Sequence, residues 1–477
     1  MSSDHYESPF SSRYASDEMQ YIFSSDKKFK TWRRLWIALA RAEKQAGLCI
    51  TDEQINELEQ NKNNINYDEA NNREKLVRHD VMAHVYAYGL QCPSAKGIIH
   101  LGATSCYVCD NTDLIIMREA LGLVKKKLLN VVSLLSDFSL KYKDIPALAY
   151  THLQPAQPTT VGKRATLWIN EFIMDIDELE HRISKMEFLG SKGTTGTQAS
   201  FVELFGGDDE KIDLVDRLIA NEVGFDKIIP VSGQTYSRKI DANVMSALCG
   251  VAQSASKFSN DIRILQNFKE IEEPFEQNQI GSSAMPYKRN PMRSERITSL
   301  SRYVITNSLN PALTASTQWF ERTLDDSANK RISMAEAFLA VDSILNLLIN
   351  VCDGIVVYPK IVAQRLMKEL PFMATENIMM LAVKKGGDRQ ELHEKLREHS
   401  MAASKRVKED GAENDLIERI CDDSSFGITK EEIEKILDPQ NFVGRAPKQT
   451  ENFILNIVNP LLEKNKDDLG LEVKIEV

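Results

Sequence analysis

One segment in the second half of the chain combines hydroxyl, ammonium and guanidinium groups where a regular helix is disfavoured. It reads Gly-Ser-Ser-Ala-Met-Pro-Tyr-Lys-Arg-Asn-Pro over 281–291. Its glycine and two prolines disfavour a regular helix through the segment. Lys288 and Arg289 place cations in the same short segment as the hydroxyls of Ser282 and Ser283. Such groups can stabilise negative charge that develops during a reaction. An exposed basic linker is the alternative, and the residue types favour a catalytic loop.

A histidine outside any helix is predicted in a second segment, Thr-His-Leu-Gln-Pro-Ala-Gln over 151–157. Pro155 restricts Gln154 to extended backbone, which makes a helix through this segment unfavourable. His152 is therefore predicted to lie on a turn or loop. A histidine on a loop beside Thr and Gln is a better acid–base candidate than a histidine packed in an apolar core.

Two further segments hold groups that suit anion binding. In Arg78-His79-Asp80, the carboxylate can orient and charge the histidine, although a surface ion pair on a helix is the commoner arrangement. Thr104 and Ser105 precede a long helical pattern. Hydroxyls and free N–H groups at a helix start can bind a carboxylate, or the hydroxyls can simply cap the helix. Both interpretations of this pair remain open.

The cysteines do not form a disulfide framework, because they are seven in number and spread along the chain. Cys106 and Cys109 have C-x-x-C spacing, but no second pair of ligands follows at short range. Two reduced thiols near a helix start are therefore favoured over a zinc site, and no metal site is predicted.

Composition narrows the class of protein. The 477 residues are 42% hydrophobic and 27% charged, which is an ordinary core-forming composition, and the net charge is −10. This acidic balance disfavours nucleic acid as a partner, because binding to phosphate backbones needs a basic surface. The polar N-terminus lacks a signal-peptide pattern, and no apolar run reaches the ~18 residues needed to cross a membrane. A cytoplasmic protein without a membrane partner is predicted.

Long helical patterns must position these groups. Apolar residues recur at helical spacing in segments of about 25–35 residues each. These segments are Asn111–Lys143, Thr159–Leu189, Ser237–Ile271, Pro291–Phe320 and Asn329–Asp353. Several carry apolar residues on more than one face, which predicts a bundle completed by other subunits, with a monomer of thicker core as the alternative.

Shorter amphipathic helices precede and follow the long ones. The prediction is an all-α protein with an N-terminal helical domain over 1–104, a central long-helix domain over 105–357 and a C-terminal helical domain over 358–477.

The loop over 281–291 resembles the signature loop of the fumarase/aspartase superfamily, Gly-Ser-Ser-x-Met-Pro-x-Lys-x-Asn-Pro, without a gap. Together the four segments resemble the adenylosuccinate lyase family, the animal type in particular. The motifs run in family order from Arg13 to Arg331, about two thirds of the chain. The C-terminal third resembles the family only weakly. Cys109 stands where the family pattern has glycine.

This resemblance implies the family's three-domain all-α fold and a homotetramer whose active sites are shared between subunits. It also implies the reaction, which is release of fumarate from adenylosuccinate or from the succinylated imidazole-carboxamide ribotide of purine biosynthesis. The substrates are small nucleotides. Neither redox chemistry nor group transfer is involved, so no organic cofactor and no metal is expected.

Catalytic roles follow from the resemblance residue by residue. It implies that Ser282 is the base and His152 the acid, and that Lys288 stabilises the serine alkoxide and the enolate-like carboxylate. Glu295 is expected to orient His152 or Lys288. Whether His79 shares the proton transfer with His152 is left open.

The resemblance also implies a set of residues that bind the substrate, and its arginines suit phosphate and carboxylate groups because their guanidinium is a bidentate fork. The set is Arg13, Tyr14, Arg78, His79, Asp80, Thr104, Ser105, Gln234, Asn290, Arg296, Arg322, Ser327 and Arg331.

Two other functions compete with this prediction. A sister enzyme such as argininosuccinate lyase shares the fold, the loop and the chemistry, but the Arg-His-Asp segment and the Tyr-Lys-Arg version of the loop favour the purine substrate. A catalytically silent scaffold, as in lens crystallins of this superfamily, is disfavoured because His152, Ser282 and Lys288 are all present.

Overall fold

The computed structural model describes residues 4–276 and 278–473, and helices dominate it. The N-terminal part begins with a short π-helical turn over Phe10–Tyr14. Its helices are α1 (Asp17–Ile22), α2 (Ser25–Gln45), α3 (Asp52–Asn61), α4 (Tyr67–Val77) and α5 (Asp80–Gln91).

The central part holds the long helices and the few short strands. In chain order its elements are α6 (Ser105–Lys141), β1 (Pro146–Thr151), β2 (Gln154–Thr160), α7 (Val161–Lys185), α8 (Ala199–Leu204), α9 (Asp209–Glu222), α10 (Lys239–Asn267), β3 (Ile271–Glu272), α11 (Met292–Asn307), α12 (Leu309–Ser316), α13 (Asp326–Gly354) and β4 (Val356–Val357). The antiparallel pairs β1–β2 and β3–β4 are two separate two-stranded sheets.

The C-terminal part returns to shorter helices. They are α14 (Pro359–Met373), α15 (Thr375–Lys384), α16 (Arg389–Glu409), α17 (Leu416–Asp422), α18 (Lys430–Ile436), α19 (Ala446–Phe453) and α20 (Asn459–Lys464). The prediction of an all-α fold is therefore confirmed.

One predicted helix is wrong, because Pro291–Phe320 is split into α11 and α12. Pro311 explains the break. It has no N–H to donate to the carbonyl of Asn307, and its ring clashes with that carbonyl.

Charged pairs fix the directions of the central helices. The Arg238 guanidinium, just before α10, binds Asp110 in the second turn of α6 at 2.9 Å and Asp326 at the start of α13 at 2.6 Å. Further along the same two helices, Lys127 of α6 forms an ion pair with Asp342 of α13. Helices α6 and α13 therefore run parallel, and α10 begins beside their starts. We call this region the Arg238 end of the bundle.

Helix α11 runs in the opposite direction. The Asn307 side chain at its C-terminus donates to the Ser333 carbonyl near the start of α13 at 2.7 Å. Before its N-terminus, the Arg289 carbonyl accepts from Gln266, at the end of α10, at 3.0 Å. We call this second region, where α10 ends and α11 begins, the loop end. The 29 residues of α10 separate the two ends by about 40 Å at 1.5 Å per residue.

The last described residues pack against the central helices. Ile454 and Val458 belong to the main core, and the Asn130 side chain of α6 bonds the backbone of Asp468 and Leu471 at 2.8 and 3.0 Å. Much of the preceding C-terminal part has a core of its own, built from residues between Ala374 and Ile433. The three domain boundaries remain predictions, and this packing adds that the chain returns to the central part after α18.

Helix α13 is the one helix among residues 4–276 and 278–473 that is long and apolar enough to cross a membrane. Its most apolar window has a mean hydropathy of 1.7, and 83% of that window is buried inside the protein. Such burial identifies α13 as a core helix.

A buried carboxyl in α2 makes the stability of the protein dependent on pH. Glu43 is 0% exposed, and neither of its oxygens has a hydrogen-bond partner among the described residues. Burial raises the pKa of Glu43 to about 9. The folded protein keeps this group protonated at neutral pH, whereas the unfolded chain ionises it above its ordinary pKa of 4.5. Stability is therefore fully present below that pKa and is lost as pH rises toward 9.

We expect Glu43→Gln to raise the melting temperature at pH 8 but to change it little at pH 5. Each pH unit between the two pKa values lowers the free energy of unfolding of the wild type by about 1.4 kcal/mol. The stabilisation by the substitution should therefore be about 4 kcal/mol larger at pH 8 than at pH 5. Thermal melts of both proteins at the two pH values measure it. Parallel shifts at both values would contradict the buried acid as their source. A control at the adjacent position of the same helix is Lys44→Gln, where the side chain is half-buried and pairs with Asp52, and this variant should not show the same pH dependence.

Candidate active site

Ser282 lies partly exposed at the start of a turn in the loop. Its Oγ accepts hydrogen bonds from the main-chain N–H groups of Ala284 and Met285 at 3.3 and 3.2 Å. Donors aimed at this oxygen favour its anionic form over its neutral form. The loop therefore gives Ser282 two of the donors that a serine base needs.

Contacts between the two ends of the 281–291 loop hold these ends together. The Asn290 side chain donates to the Gly281 carbonyl at 2.7 Å. A Cβ on Gly281 would lie 2.2 Å from the Lys288 carbonyl, so only glycine fits there. Lys288 itself is exposed, and among the described residues its side chain has no hydrogen-bond or ion-pair partner. Its ammonium is thus available to a ligand.

His152 and Leu153 form the two-residue turn between β1 and β2. Their φ angles are +54° and +56°, in the left-handed region that glycine and asparagine normally fill in such turns. The prediction of a turn is confirmed, although the flanking strands were not predicted. A left-handed non-glycine residue costs about 1–2 kcal/mol, and such strain concentrates at functional sites.

The hairpin lies at the loop end of the bundle. The Tyr150 ring, two residues before His152, lies 5.3 Å from the Phe268 ring beside the end of α10. Arg365 of α14 donates to the Tyr150 hydroxyl at 3.1 Å and to Glu270 at 2.9 Å. The hairpin and the loop therefore project from the same end of one chain.

The Arg78-His79-Asp80 segment lies at the Arg238 end. Arg78 ends α4 with a φ of +57°, and His79 caps α5 through its Nδ1, which accepts from the Met82 N–H at 3.4 Å. The other ring nitrogen of His79 lies 3.3 Å from the Ser105 hydroxyl. This arrangement places the segment between two helices, not along the surface of one.

The hydroxyls at the start of α6 are not used as caps. Thr104 occupies the N-cap position, but its side chain accepts no hydrogen bond there. Asp80 lies 3.8 Å from Arg331 of α13. The Arg78-His79-Asp80 segment, the start of α6 and the start of α13 therefore lie together. The Thr104 side chain therefore does not cap the helix, and ligand binding by the two hydroxyls stays a prediction.

Arg322 is held by a buried network that the sequence did not reveal. Its Nη1 donates to both oxygens of Asp326 at 2.9 Å, and Asp326 in turn binds Arg238. Arg238 also makes a bidentate contact with Asp110 at 2.9 and 3.2 Å. Burial alone would raise the pKa of Asp326, but Arg238 and Arg322 lower it below its ordinary value. The network fixes Arg322 against the starts of α6, α10 and α13.

Gln234 and Ser327 flank this network. The Gln234 N–H donates to the Glu321 carbonyl at 3.0 Å, and Ser327 lies in the first turn of α13. Both belong to the predicted binding set, so the Arg238 end holds most of that set.

Arg13, Tyr14 and Arg296 form a third group, away from the Arg238 end. The Arg296 guanidinium lies 5.6 Å from the centre of the Tyr14 ring, and that of Arg13 lies 5.9 Å from it. These distances bring the N-terminal segment onto the first turns of α11, next to the loop.

Glu295 is exposed in the first turn of α11, and within the described part of the chain its side chain makes no hydrogen bond to His152 or Lys288. Its role as an orienting group stays a prediction.

Sequence reasoning missed Arg238, Asp110 and Asp326 as supporting residues. The spacing of Arg322 and Asp326, four residues apart, was the available signal.

Cys106 and Cys109 are free thiols in the first turns of α6. Burial raises the pKa of Cys106 to about 12 and that of Cys109 well above its ordinary value. Both thiols are therefore protonated at neutral pH, as expected for packed side chains near a helix start.

Comparison with known proteins assigns a family to the whole chain. Residues 14–306 match the family model described as Lyase, and residues 371–453 match the one described as Adenylosuccinate lyase C-terminus. The second match covers much of the C-terminal third of the chain, where the motifs resembled the family only weakly.

Curated relatives match along nearly their full lengths. The chain is 52% identical to the adenylosuccinate lyase of Saccharomyces cerevisiae, over 99% of both chains. It is 53% identical to that of Schizosaccharomyces pombe, over 96% of this chain and 95% of the relative. The enzyme of Schistosoma mansoni is 44% identical over 99% of both.

Solved structures share the fold at lower identity. A fumarate lyase from Mesorhizobium sp. BNC1 superposes with a TM-score of 0.78 at 22% identity, covering 95% of this chain and 100% of that one. The 3-carboxy-cis,cis-muconate lactonizing enzyme from Pseudomonas putida gives 0.79 at 22%, covering 96% and 99%. Taken with the relatives and the two family models, the full-length match shows that this chain belongs to the adenylosuccinate lyase family.

Proposed function

We propose that the chain eliminates fumarate from adenylosuccinate, giving AMP, and from the succinylated imidazole-carboxamide ribotide of purine biosynthesis. The observation that carries the proposal is the 52% identity to a curated adenylosuccinate lyase over 99% of both chains. The loop with Ser282, the turn with His152 and the Arg238 end supply the groups that this reaction needs.

In the proposed reaction, Ser282 removes a proton from the carbon adjacent to the one that bears nitrogen. The electron pair left on carbon is delocalised into the neighbouring carboxylate, where Lys288 offers a positive charge. The pair then forms the new C=C bond as the C–N bond breaks. His152 protonates the departing nitrogen, so that fumarate and a neutral amine leave. Acid and base groups in such positions typically contribute about 10²–10⁴-fold each.

The Arg238 end suits the phosphate and other polar groups of the nucleotide. Arg78, Arg322 and Arg331 are cations there, and the hydroxyls of Ser105 and Ser327 are additional donors. Arg322 is held in place before a ligand arrives, because Asp326 binds it from the buried side. Such preorganisation lowers the entropy cost of binding.

Shared active sites are proposed because one chain cannot assemble the set. The loop and His152 lie at one end of the bundle, and His79, Ser105 and Arg322 lie at the other. The 29 residues of α10 put these groups about 40 Å apart, which is further than one nucleotide can bridge. A second copy aligned in the opposite direction would place its loop end beside the Arg238 end of the first.

Exposed apolar side chains support contacts between copies. They occur near both ends of the bundle and on α7, where a monomer would leave them in water. They are Leu153, Leu167, Met174, Tyr287, Trp319, Phe320, Leu324 and Ile332. We propose that a homotetramer in the cytoplasm buries this surface, and gel filtration with light scattering measures the assembly.

The substrate proposal is tested with purified protein and two candidate substrates. We expect fumarate to be released from adenylosuccinate, followed by ultraviolet absorbance, and none to be released from argininosuccinate. Release from argininosuccinate alone would replace the purine substrate by that of the sister enzyme. A folded protein that releases fumarate from neither would support the silent scaffold.

A further inference from the structure

The loop that carries Ser282 leaves the helical frame after β3 and returns at α11, and one buried carboxylate holds both points. Glu273, next to β3, is only 4% exposed. Its Oε1 accepts the Arg293 N–H at 2.9 Å. Its Oε2 accepts both the N–H and the hydroxyl of Ser294 at 2.9 Å. Three residues from the two ends of the loop, Glu273, Arg293 and Ser294, thus meet at the start of α11.

Helix α11 has no cap of its own. Pro291 occupies its N-cap position and offers no side-chain acceptor. The first N–H groups of a helix have no partners within it, and a negative charge is favoured beside them. Glu273 supplies both the acceptor and the charge from the opposite end of the loop. The cap of this helix and the closure of the loop are therefore the same interaction.

Two further side chains reinforce this point. Arg293 donates to the Pro274 carbonyl and, at 2.6 Å, to Glu276. Gln266, at the end of α10, accepts from the Glu273 N–H at 3.3 Å and donates to the Arg289 carbonyl at 3.0 Å. Glu273 thus lies at the centre of contacts that join α10, the loop and α11.

We propose that Glu273 is a positioning residue for the elimination, because its cap on α11 fixes both ends of the loop that carries Ser282 and Lys288. The inference rests on the role proposed above for Ser282. That residue follows Glu273 by nine positions and precedes Arg293 by eleven (282 − 273 and 293 − 282). A change at the anchored ends is therefore transmitted to the reacting oxygen along a short segment.

Glu273→Gln tests the proposal with a side chain of the same size. Each carboxylate oxygen now accepts a hydrogen bond from a main-chain N–H group. In either orientation the amide nitrogen of glutamine would face one of these donors, so part of the cap is lost. We expect kcat to fall about 100-fold with KM changed less than about threefold, because misplacing a catalytic group by about 1 Å can cost that much. Trypsin should also cleave faster after the exposed Lys288 and Arg289 in the enzyme without substrate.

Glu276→Gln is the matched control. Glu276 is paired with the same Arg293 but its side chain is 69% exposed, and exposed ion pairs contribute little. We expect kcat and the rate of trypsin cleavage to stay within about twofold of the wild type. A second variant, Glu273→Asp, keeps the charge at the start of α11 with a shorter reach, and should lie between the wild type and Glu273→Gln in both measurements.

The outcomes separate this proposal from the function itself. Wild-type values of kcat in a folded Glu273→Gln enzyme would overturn the positioning role, even with faster cleavage of the loop. A rise in KM alone would overturn it too, since the residue would then act on binding. If Glu273→Gln does not fold, Glu273→Asp decides by the same two measurements. Fumarate release by the wild type tests the reaction independently of all three variants.

Discussion

Ser282→Ala is expected to lower kcat by about 10²–10⁴-fold, with a much smaller change in KM. The variant removes the proposed base but none of the cations or binding groups, so substrate still binds while proton removal loses its acceptor. The Ser282 oxygen also accepts two main-chain N–H groups, which then have no acceptor in the side chain. Fumarate release under saturating substrate measures the loss, and a melting curve shows that the fold is retained.

Ser283→Ala is the natural control, since it changes the adjacent, exposed hydroxyl of the same loop. We expect it to keep most of the activity. Near-normal turnover in Ser282→Ala, or an equal loss in both variants, would remove Ser282 from the role of base.

Two inactive variants are expected to restore activity when their subunits mix. His79→Ala damages the Arg238 end and Ser282→Ala damages the loop end, and the proposed site takes these ends from different copies. Random assembly of equal amounts then leaves about a quarter of the sites with both ends intact. Co-expression with two affinity tags, followed by tandem purification, should therefore give an enzyme far more active than either parent.

A pair of variants at the same end provides the control for this experiment. Ser282→Ala and Lys288→Ala lie in one loop, so every loop in the mixture carries one defect or the other, and no recovery is expected. Equal recovery from both mixtures would contradict the division of the site between copies. No recovery from His79→Ala with Ser282→Ala would contradict it as well.

The fold was predictable where local pattern determines it. The long helices carry wide apolar faces, and their spacing gave α6, α7, α10 and α13 to within a few residues at most of their ends. The break between α11 and α12 was missed because apolar residues continue across it, and the effect of Pro311 on the preceding turn outweighs them. The β1–β2 hairpin was missed because its turn uses His-Leu where a typical hairpin has Asn-Gly.

The candidate site was predictable only in its local segments. The residue types in the loop and in the turn around His152 indicate chemistry by themselves. The supporting contacts could not be predicted, because Asp110, Arg238 and Asp326 are far apart in the chain and meet only when three helices align. Glu273 is similar, since an acidic residue beside a short strand gives no sign that it caps a helix twenty residues later.

The contact between Asn130 and residues 468 and 471 has a consequence for the timing of synthesis. Asn130 is translated about 340 residues before its partners, which at 5–20 residues per second corresponds to roughly 20–70 s. Throughout that interval, this side of α6 is open to solvent or to chaperones while the rest of the chain emerges from the ribosome. We therefore expect the nascent chain to stay sensitive to proteases until residues 468 and 471 have been synthesised and have packed on α6.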